Sequence, residues 1–466
     1  MKHPSAYTGQ QVIILGLARS GSAAAKLFHK LGAQVTVNDR KERTECPEAD
    51  ELAALGICVI CGYHPEDLIH QDVALIVKNP GIPYSVPPLQ CAEALGIEIV
   101  TEVEVAYHLT KTPIIGITGS NGKTTTTTLV YEILSHAGLS PAVAGNIGRA
   151  MCEVVLEEEE TAPYGWLVTE LSSFQLKGTE SFRPKIACLL NLYETHLDYH
   201  GTMEDYRDSK LKLFRNQTPD DVAVVNADNP VCSQLAEQVQ ADVMRFSIEQ
   251  ELVHGVFVQQ DGMITYRDKT GKSHPILPVR ELGIPGSYNV ENALAATAIA
   301  ILAGASLDII SHTLRTFGGV EHRLEYVAEI GRVRYVNNSK ATNATAAKKA
   351  LEAVSEPVVL IAGGLDRGSD MMELAPVLRE RVKALVVFGE SRRKLQYVGE
   401  LAGLKQIHVI DTVDAASAIS EAVERAAALA VPGDVVMLNP ACASWDMFPS
   451  FEERGRMFKE SVHNLR

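Results

Sequence analysis

No stretch of this chain approaches the roughly 18 consecutive apolar residues of a membrane-spanning helix, so no span is expected. The N-terminal apolar run, Val12 to Leu17, is short and passes into Gly16-Leu17-Ala18-Arg19-Ser20-Gly21 without a cleavage site. It reads as a strand rather than a signal peptide, and a cytoplasmic protein is expected. No Lys/Arg-rich block offsets the formal net charge of -15. General nucleic-acid binding is therefore excluded, because phosphate neutralisation dominates that affinity, and any phosphate must be met by local features. Cysteines are scattered, and only Cys58 and Cys61 form a CxxC, inside the strand-like run Ile57 to Cys61. Side chains three apart on a strand point to opposite faces, so neither zinc nor redox chemistry is expected there. No long tract is compositionally biased, and 46% hydrophobic with 22% charged residues is the balance of a folded protein throughout.

With 466 residues the chain exceeds what one core organises. Short β-rich runs alternate with helical stretches, the pattern of parallel α/β sheets, and no internal repeat is present. Strands are predicted at Val12–Leu15, Gln34–Val37, Cys58–Ile60, Leu75–Val77 and Glu98–Val100, with helices at Ala23–Lys30 and Glu48–Leu55. A second block begins at Thr112-Pro113, with strands at Ile114–Thr118, Trp166–Thr169, Ile186–Leu190 and Val222–Val225 and a helix after Asn289. A third opens near Glu321, with strands at Val358–Ile361, Ala384–Val387, Ile407–Ile410 and Val435–Leu438. Three α/β domains follow, with expected limits 1–109, 110–319 and 320–466.

Two glycine loops join a strand to a helix, where backbone amides and the helix dipole can meet an anion. In the first, Gly16 to Gly21, a dinucleotide fingerprint would want glycine at 18, where Ala18 stands. Asp39 lies at the end of the second strand, where a carboxylate often reads ribose. A nucleotide-like anion and a plain tight turn remain equally open for this loop. The second loop is stronger: Gly116-Ile117-Thr118-Gly119-Ser120-Asn121-Gly122-Lys123-Thr124-Thr125 follows a buried strand. Glycines let amides wrap phosphate oxygens, a lysine meets the β/γ charge and a hydroxyl ligates Mg²⁺. The strict phosphate-loop pattern wants glycine where Ile117 stands, so this is a variant; nucleoside triphosphate binding is expected, since a simple helix cap leaves the lysine unexplained.

TGSNGKTT at 118–125 resembles the phosphate loop of the Mur ligase family, and further similar segments follow in order. They are GNIG (145–148), ELSSFQL (170–176), HLDYHGTMEDYRDSK (196–210), GSYNVENALAA (286–296), EHRLE (321–325), NNSKATN (337–343), GGLDRG (363–368) and PACASWDMF (440–448). ELSSFQL, SKATN and PACASWDMF resemble the branch that adds D-glutamate. The resemblance implies a Rossmann-like N-terminal domain for the UDP substrate, a central P-loop ATPase domain with a parallel sheet, and a Rossmann-like C-terminal domain that helps bind the amino acid. It implies an ATP-dependent amide ligase that phosphorylates the carboxylate of UDP-N-acetylmuramoyl-L-alanine and couples it to D-glutamate. ATP and two Mg²⁺ ions are expected, with no nucleic-acid or membrane partner and a monomeric state. A nicotinamide oxidoreductase is disfavoured by Ala18 and by the second loop. The nearest rival is another member of the same superfamily with a different amino-acid substrate; a folate-directed one is disfavoured by the UDP-type first domain and by PACASWDMF. A non-catalytic nucleotide-binding module is disfavoured by the coexistence of Lys123, Glu170, His196 and Lys210.

Carried onto this chain, the resemblance puts Gly119, Ser120, Asn121, Gly122, Lys123, Thr124 and Thr125 around the phosphates. Thr124, Glu170, His196 and Lys210 become metal ligands, Lys210 after its amine takes up CO₂ as a carbamate. That chemistry needs a neutral amine, hence a pKa lowered from about 10.4 by the surroundings. Asn289 and Asn292 look like adenine-side contacts, and Arg323 and Lys340 like phosphate contacts. Tyr288 stands where relatives usually have histidine. Asn338 stands where they often have aspartate near the ribose, so the site there carries an amide without charge. Thr342, Arg367, Ser444 and Phe451 are implied for D-glutamate; Arg367 lies in a glycine turn, and its planar fork suits a carboxylate. Ser444 is open to a helix-capping reading. Arg19, Ser20, Asp39, Arg40, Asn79, Gly81 and Asn146 match the UDP-substrate positions, though Asn79-Pro80-Gly81 equally suits a plain turn.

Overall fold

A computed structural model of the chain describes residues 1–158, 161–284, 286–368 and 370–465. It divides into two compact units, Met1–Phe317 and Gly318–Arg466.

The first unit holds two sheets. The N-terminal one is parallel, in the order Cys58–Cys61, Gln34–Asp39, Gln11–Leu15, Val73–Lys78, Ile99–Val100. Its central strand is apolar at successive positions because both faces are covered. Val12 and Ile14 join the core that includes Ala24, Leu27 and Phe28 of the helix Arg19–Lys30, while Ile13 and Leu15 join Leu89 and Ala92 of the helix Pro87–Leu95.

The second sheet has nine strands, in the order Ser273–Pro278, Met263–Arg267, Gly255–Val258, Asp242–Ser247, Val222–Asn226, Ile186–Leu189, Ile114–Thr118, Trp166–Glu170, Pro141–Gly145. Ile114–Thr118 runs parallel between Ile186–Leu189 and Trp166–Glu170. The loop after Thr118 therefore opens at the carboxyl ends of three parallel strands, where open α/β sheets bind ligands. Two antiparallel pairings at the far edge, formed by Gly255–Val258, Met263–Arg267 and Ser273–Pro278, are not among the predicted strands. Nor are Asp242–Ser247 and Pro141–Gly145.

The second unit has one sheet, in the order Glu325–Ile330, Val333–Asn337, Val435–Leu438, Val358–Gly363, Val382–Phe388, Ile407–Val409. The four strands predicted there pair parallel. An unpredicted hairpin, Glu325–Ile330 with Val333–Asn337, is added at one edge. Its two-residue turn is Gly331-Arg332, with φ of 59° and 61°. Positive φ at both positions matches the twist of paired strands, but arginine there gives no sequence signal for such a turn.

Candidate active site

The glycine loop forms as its sequence demands. Gly119 (φ 159°) and Gly122 (φ 82°) bracket Ser120-Asn121, and Gly122 caps the helix Lys123–His136. A methyl group at Gly122 would lie 2.1 Å from Asn292 Oδ1. Asn191, two residues beyond a neighbouring strand, holds the loop from below: its carbonyl accepts from Ser120 N–H (3.0 Å) and its Oδ1 from Asn121 N–H (2.9 Å). Asn191 Nδ2 and Asn226 Nδ2 both donate to Glu291 Oε1, at 3.2 and 2.6 Å. Neither Asn191 nor Glu291 is among the sequence candidates, although strand-end position and the GSYNVEN segment were available as signals.

Lys123 folds over the loop and donates to the carbonyls of Gly119 (2.9 Å) and Ser120 (3.1 Å). Lys210, on the helix Met203–Arg215, is only 2% exposed and donates to the same Gly119 carbonyl (2.9 Å) and to Thr118 Oγ1 (3.1 Å). Two lysine amines thus converge on one carbonyl oxygen. Burial, reinforced by the Lys123 charge and opposed by Glu170, pushes the Lys210 amine well below the usual lysine range. Burial lowers Lys212 on the same helix as well, but Lys210 is the more deeply buried of the two and is pushed further towards its neutral, nucleophilic form.

Glu170 ends the strand Trp166–Glu170 and is 1% exposed. Asn146 Nδ2 donates to Oε1 (2.6 Å), while Oε2 is buried without a hydrogen-bond partner. An orphaned carboxylate oxygen in a buried place is costly unless a cation completes it, so the residue fits a metal ligand. Gly145 (φ 103°) permits the close turn here, since a Cβ would come 2.4 Å from the Glu170 carbonyl. Among the described residues, no three His, Cys, Asp or Glu side chains cluster as a metal site. A cation at Glu170 would need other donors, such as a hydroxyl, phosphate oxygens or a modified lysine. Thr124 and Thr125 are half-buried in the first turn of the helix.

His196 is exposed with φ 58°, its ring 5.1 Å from that of Phe174. The next histidine does different work: His200 is buried, stacks on Phe174 at 5.4 Å, and pairs with Asp205 (2.5 Å) and Ser173 (3.0 Å). Burial lowers its pKa. On the helix Ser287–Ala303, Asn289 and Asn292 are buried, and Asn292 Nδ2 donates to Asn289 Oδ1 (3.3 Å). Thr126 Oγ1 donates to Asn292 Oδ1 (3.3 Å), so Asn292 also steadies the phosphate-loop helix. Tyr288 is half-exposed.

At the first loop, Asp39 accepts from Leu17 N–H (2.6 Å) and Lys41 N–H (2.9 Å), joining loop to second strand. Asn79 Nδ2 donates to Ser20 Oγ (3.3 Å), and its Oδ1 accepts from Gly81 N–H (3.1 Å). Arg19 donates to the Gly148 carbonyl (2.6 Å), and Arg40 is exposed. Arg19, Ser20, Asp39, Asn79 and Gly81 therefore gather around one loop, whereas Asn146 sits on Glu170. Lys78 and Tyr199 were not sequence candidates. Lys78 is 1% exposed and donates to the Pro80 carbonyl (3.1 Å) and Tyr199 Oη (3.2 Å), and burial lowers its pKa to about 7.

In the second unit, Lys340 lies over the Phe451 ring at 5.1 Å and Arg367 over the Trp445 ring at 4.9 Å. Asn338 is buried: Nδ2 donates to Asn439 Oδ1 (2.8 Å), and Oδ1 accepts from Leu324 N–H (3.2 Å). The amide is used at both ends, which a carboxylate could not do. Arg323 is exposed, Thr342 half-buried and Ser444 buried. The helix cap nearest Ser444 is Ser450, which accepts from Glu453 N–H. Arg454, 0% exposed and absent from the sequence candidates, donates to Ser339 Oγ (3.0 Å) and to the carbonyls of Ser339 (2.8 Å), Gly363 (3.3 Å) and Cys442 (3.1 Å). It ties SKATN, GGLDRG and PACASWDMF together. Its position four residues before Phe458, on the buried face of Phe451–His463, was the available signal.

Three family descriptions match consecutive stretches of the chain. Mur ligase MurD-like, N-terminal domain, matches residues 10–101; Mur ligase middle domain, 117–300; Mur ligase, glutamate ligase domain, 322–442. The UDP-N-acetylmuramoylalanine--D-glutamate ligase of Geobacillus kaustophilus (strain HTA426) is 50% identical over 467 residues, covering 100% of both chains. That of Bacillus cereus (strain G9842) is 46% identical over 465 residues, again covering 100% of both. Among solved structures, UDP-N-acetylmuramate-alanine ligase from Thermotoga maritima shares the fold at TM-score 0.55 and 19% identity, covering 98% of this chain and 100% of its own. MurF from Acinetobacter baumannii does so at TM-score 0.55 and 19% identity, covering 93% of this chain and 91% of its own. With its three α/β domains, this chain belongs to the Mur ligase family.

Proposed function

We propose that this chain is the ATP-dependent ligase that joins D-glutamate to UDP-N-acetylmuramoyl-L-alanine, releasing ADP and phosphate. The observation that carries the choice of substrates is identity along the whole chain to relatives named for that reaction. A carboxylate is a poor acyl donor, so the γ-phosphoryl of ATP passes first to the substrate carboxylate, and the amine of D-glutamate then displaces phosphate from the acyl phosphate. Anionic groups meet in this scheme; at 4 Å and an effective dielectric near 20, each opposite-charge pair is worth about 4 kcal/mol. Lys123 is held across the phosphate loop, where it meets the β/γ-phosphates. The loop amides of Gly119 to Thr125 cradle phosphate oxygens, and Arg323 and Lys340 add cations for them.

Glu170, Thr124, His196 and a carbamylated Lys210 would hold two Mg²⁺ ions, and the orphaned Glu170 oxygen and the depressed Lys210 amine support that fit. Bound there, Mg²⁺ supplies charge neutralisation and alignment of the transferring phosphoryl group. Asn289 and Asn292 serve the adenine side and Asn338 the ribose. Arg19, Ser20, Asp39, Arg40, Asn79, Gly81 and Asn146 hold the UDP substrate, and Thr342, Arg367, Ser444 and Phe451 hold D-glutamate. We further place the domain limits at 109/110 and 319/320, and the protein in the cytoplasm as a monomer; among the described residues no helix is long and apolar enough to cross a membrane.

The test is phosphate release from ATP with Mg²⁺, UDP-N-acetylmuramoyl-L-alanine and D-glutamate, with each omitted in turn and D-glutamate replaced by L-glutamate or other amino acids. Release is expected only with both substrates. Release that follows another amino acid would overturn the substrate assignment, and none with any acceptor would overturn the catalytic roles.

A further inference from the structure

Trp445 is an exposed tryptophan, 67% accessible, in a chain with only two tryptophans. Its ring lies under the guanidinium of Arg367, 4.9 Å from centroid to Cζ. A guanidinium held over a ring face by its charge spends none of its five N–H donors on that contact, so they stay available to a ligand.

The backbone around this pair is fixed from both sides. Leu365 N–H donates to the Ala443 carbonyl (2.9 Å), and a Cβ at Gly364 would lie 2.2 Å from that same oxygen, so the two loops touch along their main chains. The neighbours of the stacked pair are tied to one turn. Asp366 N–H donates to Glu390 Oε2 (3.3 Å), Lys394 Nζ donates to Asp366 Oδ1 (2.5 Å), and Glu390 N–H donates to Asp446 Oδ2 (3.1 Å). Asp366 Oδ1 also accepts from Gly368 N–H (2.9 Å), closing the turn over Arg367. With Asp366 and Asp446 anchored, Arg367 and Trp445 stand exposed on these two loops, where a ligand can reach them.

We infer that Trp445 is a positioning residue for the amino-acid substrate: its indole holds the Arg367 guanidinium so that the N–H fork presents its edge to a carboxylate of D-glutamate. This rests on the reading of Arg367 as a D-glutamate contact. A long arginine that is free to rotate must be ordered at the moment of binding, whereas one stacked beforehand loses less freedom. An exposed cation–π contact is worth about two- to five-fold in affinity.

The experiment uses the full-length protein and measures KM for D-glutamate, ATP and the UDP substrate in Trp445→Ala, Trp445→Phe, Arg367→Ala and the Trp445→Ala/Arg367→Ala double variant. Trp445→Ala should raise the D-glutamate KM about two- to five-fold, with less effect on kcat and on the other two KM values. Trp445→Phe should restore most of the difference, and Trp445→Ala should add nothing once Arg367 is gone. In a Trp166→Phe background, where Trp445 is the remaining indole, its fluorescence should respond saturably to D-glutamate when UDP substrate and a non-hydrolysable ATP analogue are present. If Arg367→Ala raises the D-glutamate KM but Trp445→Ala does not, or if the two effects simply add, the stacking role is overturned while the Arg367 reading stands. A silent Trp445 fluorescence overturns it likewise. If Arg367→Ala leaves the D-glutamate KM unchanged, the Arg367 reading falls and the inference falls with it.

Discussion

Replacing Arg454 with methionine, which keeps much of the volume and removes the donors, should loosen the third domain. Three buried carbonyls, of Ser339, Gly363 and Cys442, would lose their donor. Each stranded acceptor costs about 1–3 kcal/mol, hence about 3–9 kcal/mol at face value. Against this, burying a guanidinium is itself unfavourable: desolvation lowers the Arg454 pKa to about 10 from 12.5. That corresponds to about 3 kcal/mol recovered when the charge is removed. The two terms leave a net destabilisation of about 0–6 kcal/mol, centred on about 3 kcal/mol. Urea unfolding of the full chain, followed through Trp445 in a Trp166→Phe background, reports this region. With a slope of about 1–3 kcal/mol/M, the midpoint should fall by about 1–3 M. The D-glutamate KM should rise at the same time, because the three tied segments carry Lys340, Thr342, Arg367 and Ser444. A midpoint that rises would refute the reasoning, since the carbonyls would then be satisfied without Arg454.

Removing CO₂ from buffer and protein should abolish most of the activity if Lys210 works as a carbamate, and bicarbonate should restore it. Intact mass under native conditions should show one added CO₂, lost in Lys210→Ala, and activity indifferent to CO₂ would sink the assignment. Gly122→Ala places a methyl 2.1 Å from Asn292 Oδ1 at φ 82°. The left-handed backbone alone costs about 1–2 kcal/mol, so KM for ATP should rise at least about fivefold in a steady-state assay. Lys78 makes a pH-dependent contribution whose sign is fixed by its lowered pKa of about 7. Between that value and the ordinary lysine range near 10.4, the unfolded chain binds more protons than the folded one, so wild-type stability rises with pH across this window. Urea midpoints of wild type should gain on those of Lys78→Met from pH 7 to 10, and parallel curves would contradict the burial argument.

The fold was legible where local pattern and tertiary structure agree. Ile114–Thr118 coincides with its prediction because a fully buried parallel strand must be apolar throughout, and Gly119 and Gly122 announce the turn that follows. The meander Gly255–Val258, Met263–Arg267, Ser273–Pro278 was not legible, because an edge sheet needs few apolar positions and Ser273–Pro278 carries two prolines that argue against a strand. The candidate site divides in the same way. Lys123 sits in a contiguous motif, whereas Asn191, Glu291 and Arg454 act through partners far along the chain that single-sequence periodicity cannot connect. Lys210 is the instructive case. Bottom-up reading of the residues alone leaves it a surface lysine, and only the family resemblance selects it. The structure supplies the missing physical reason, because Lys123 and Lys210 donate to one Gly119 carbonyl. Two ammonium groups cannot share that oxygen without repulsion, and only one of the two lysines is buried. Burial weighs against the charge on Lys210 and the Glu170 charge opposes that shift, so the amine driven towards its neutral form is coupled electrostatically to the carboxylate whose second oxygen has no partner, where a cation would want a further anionic ligand.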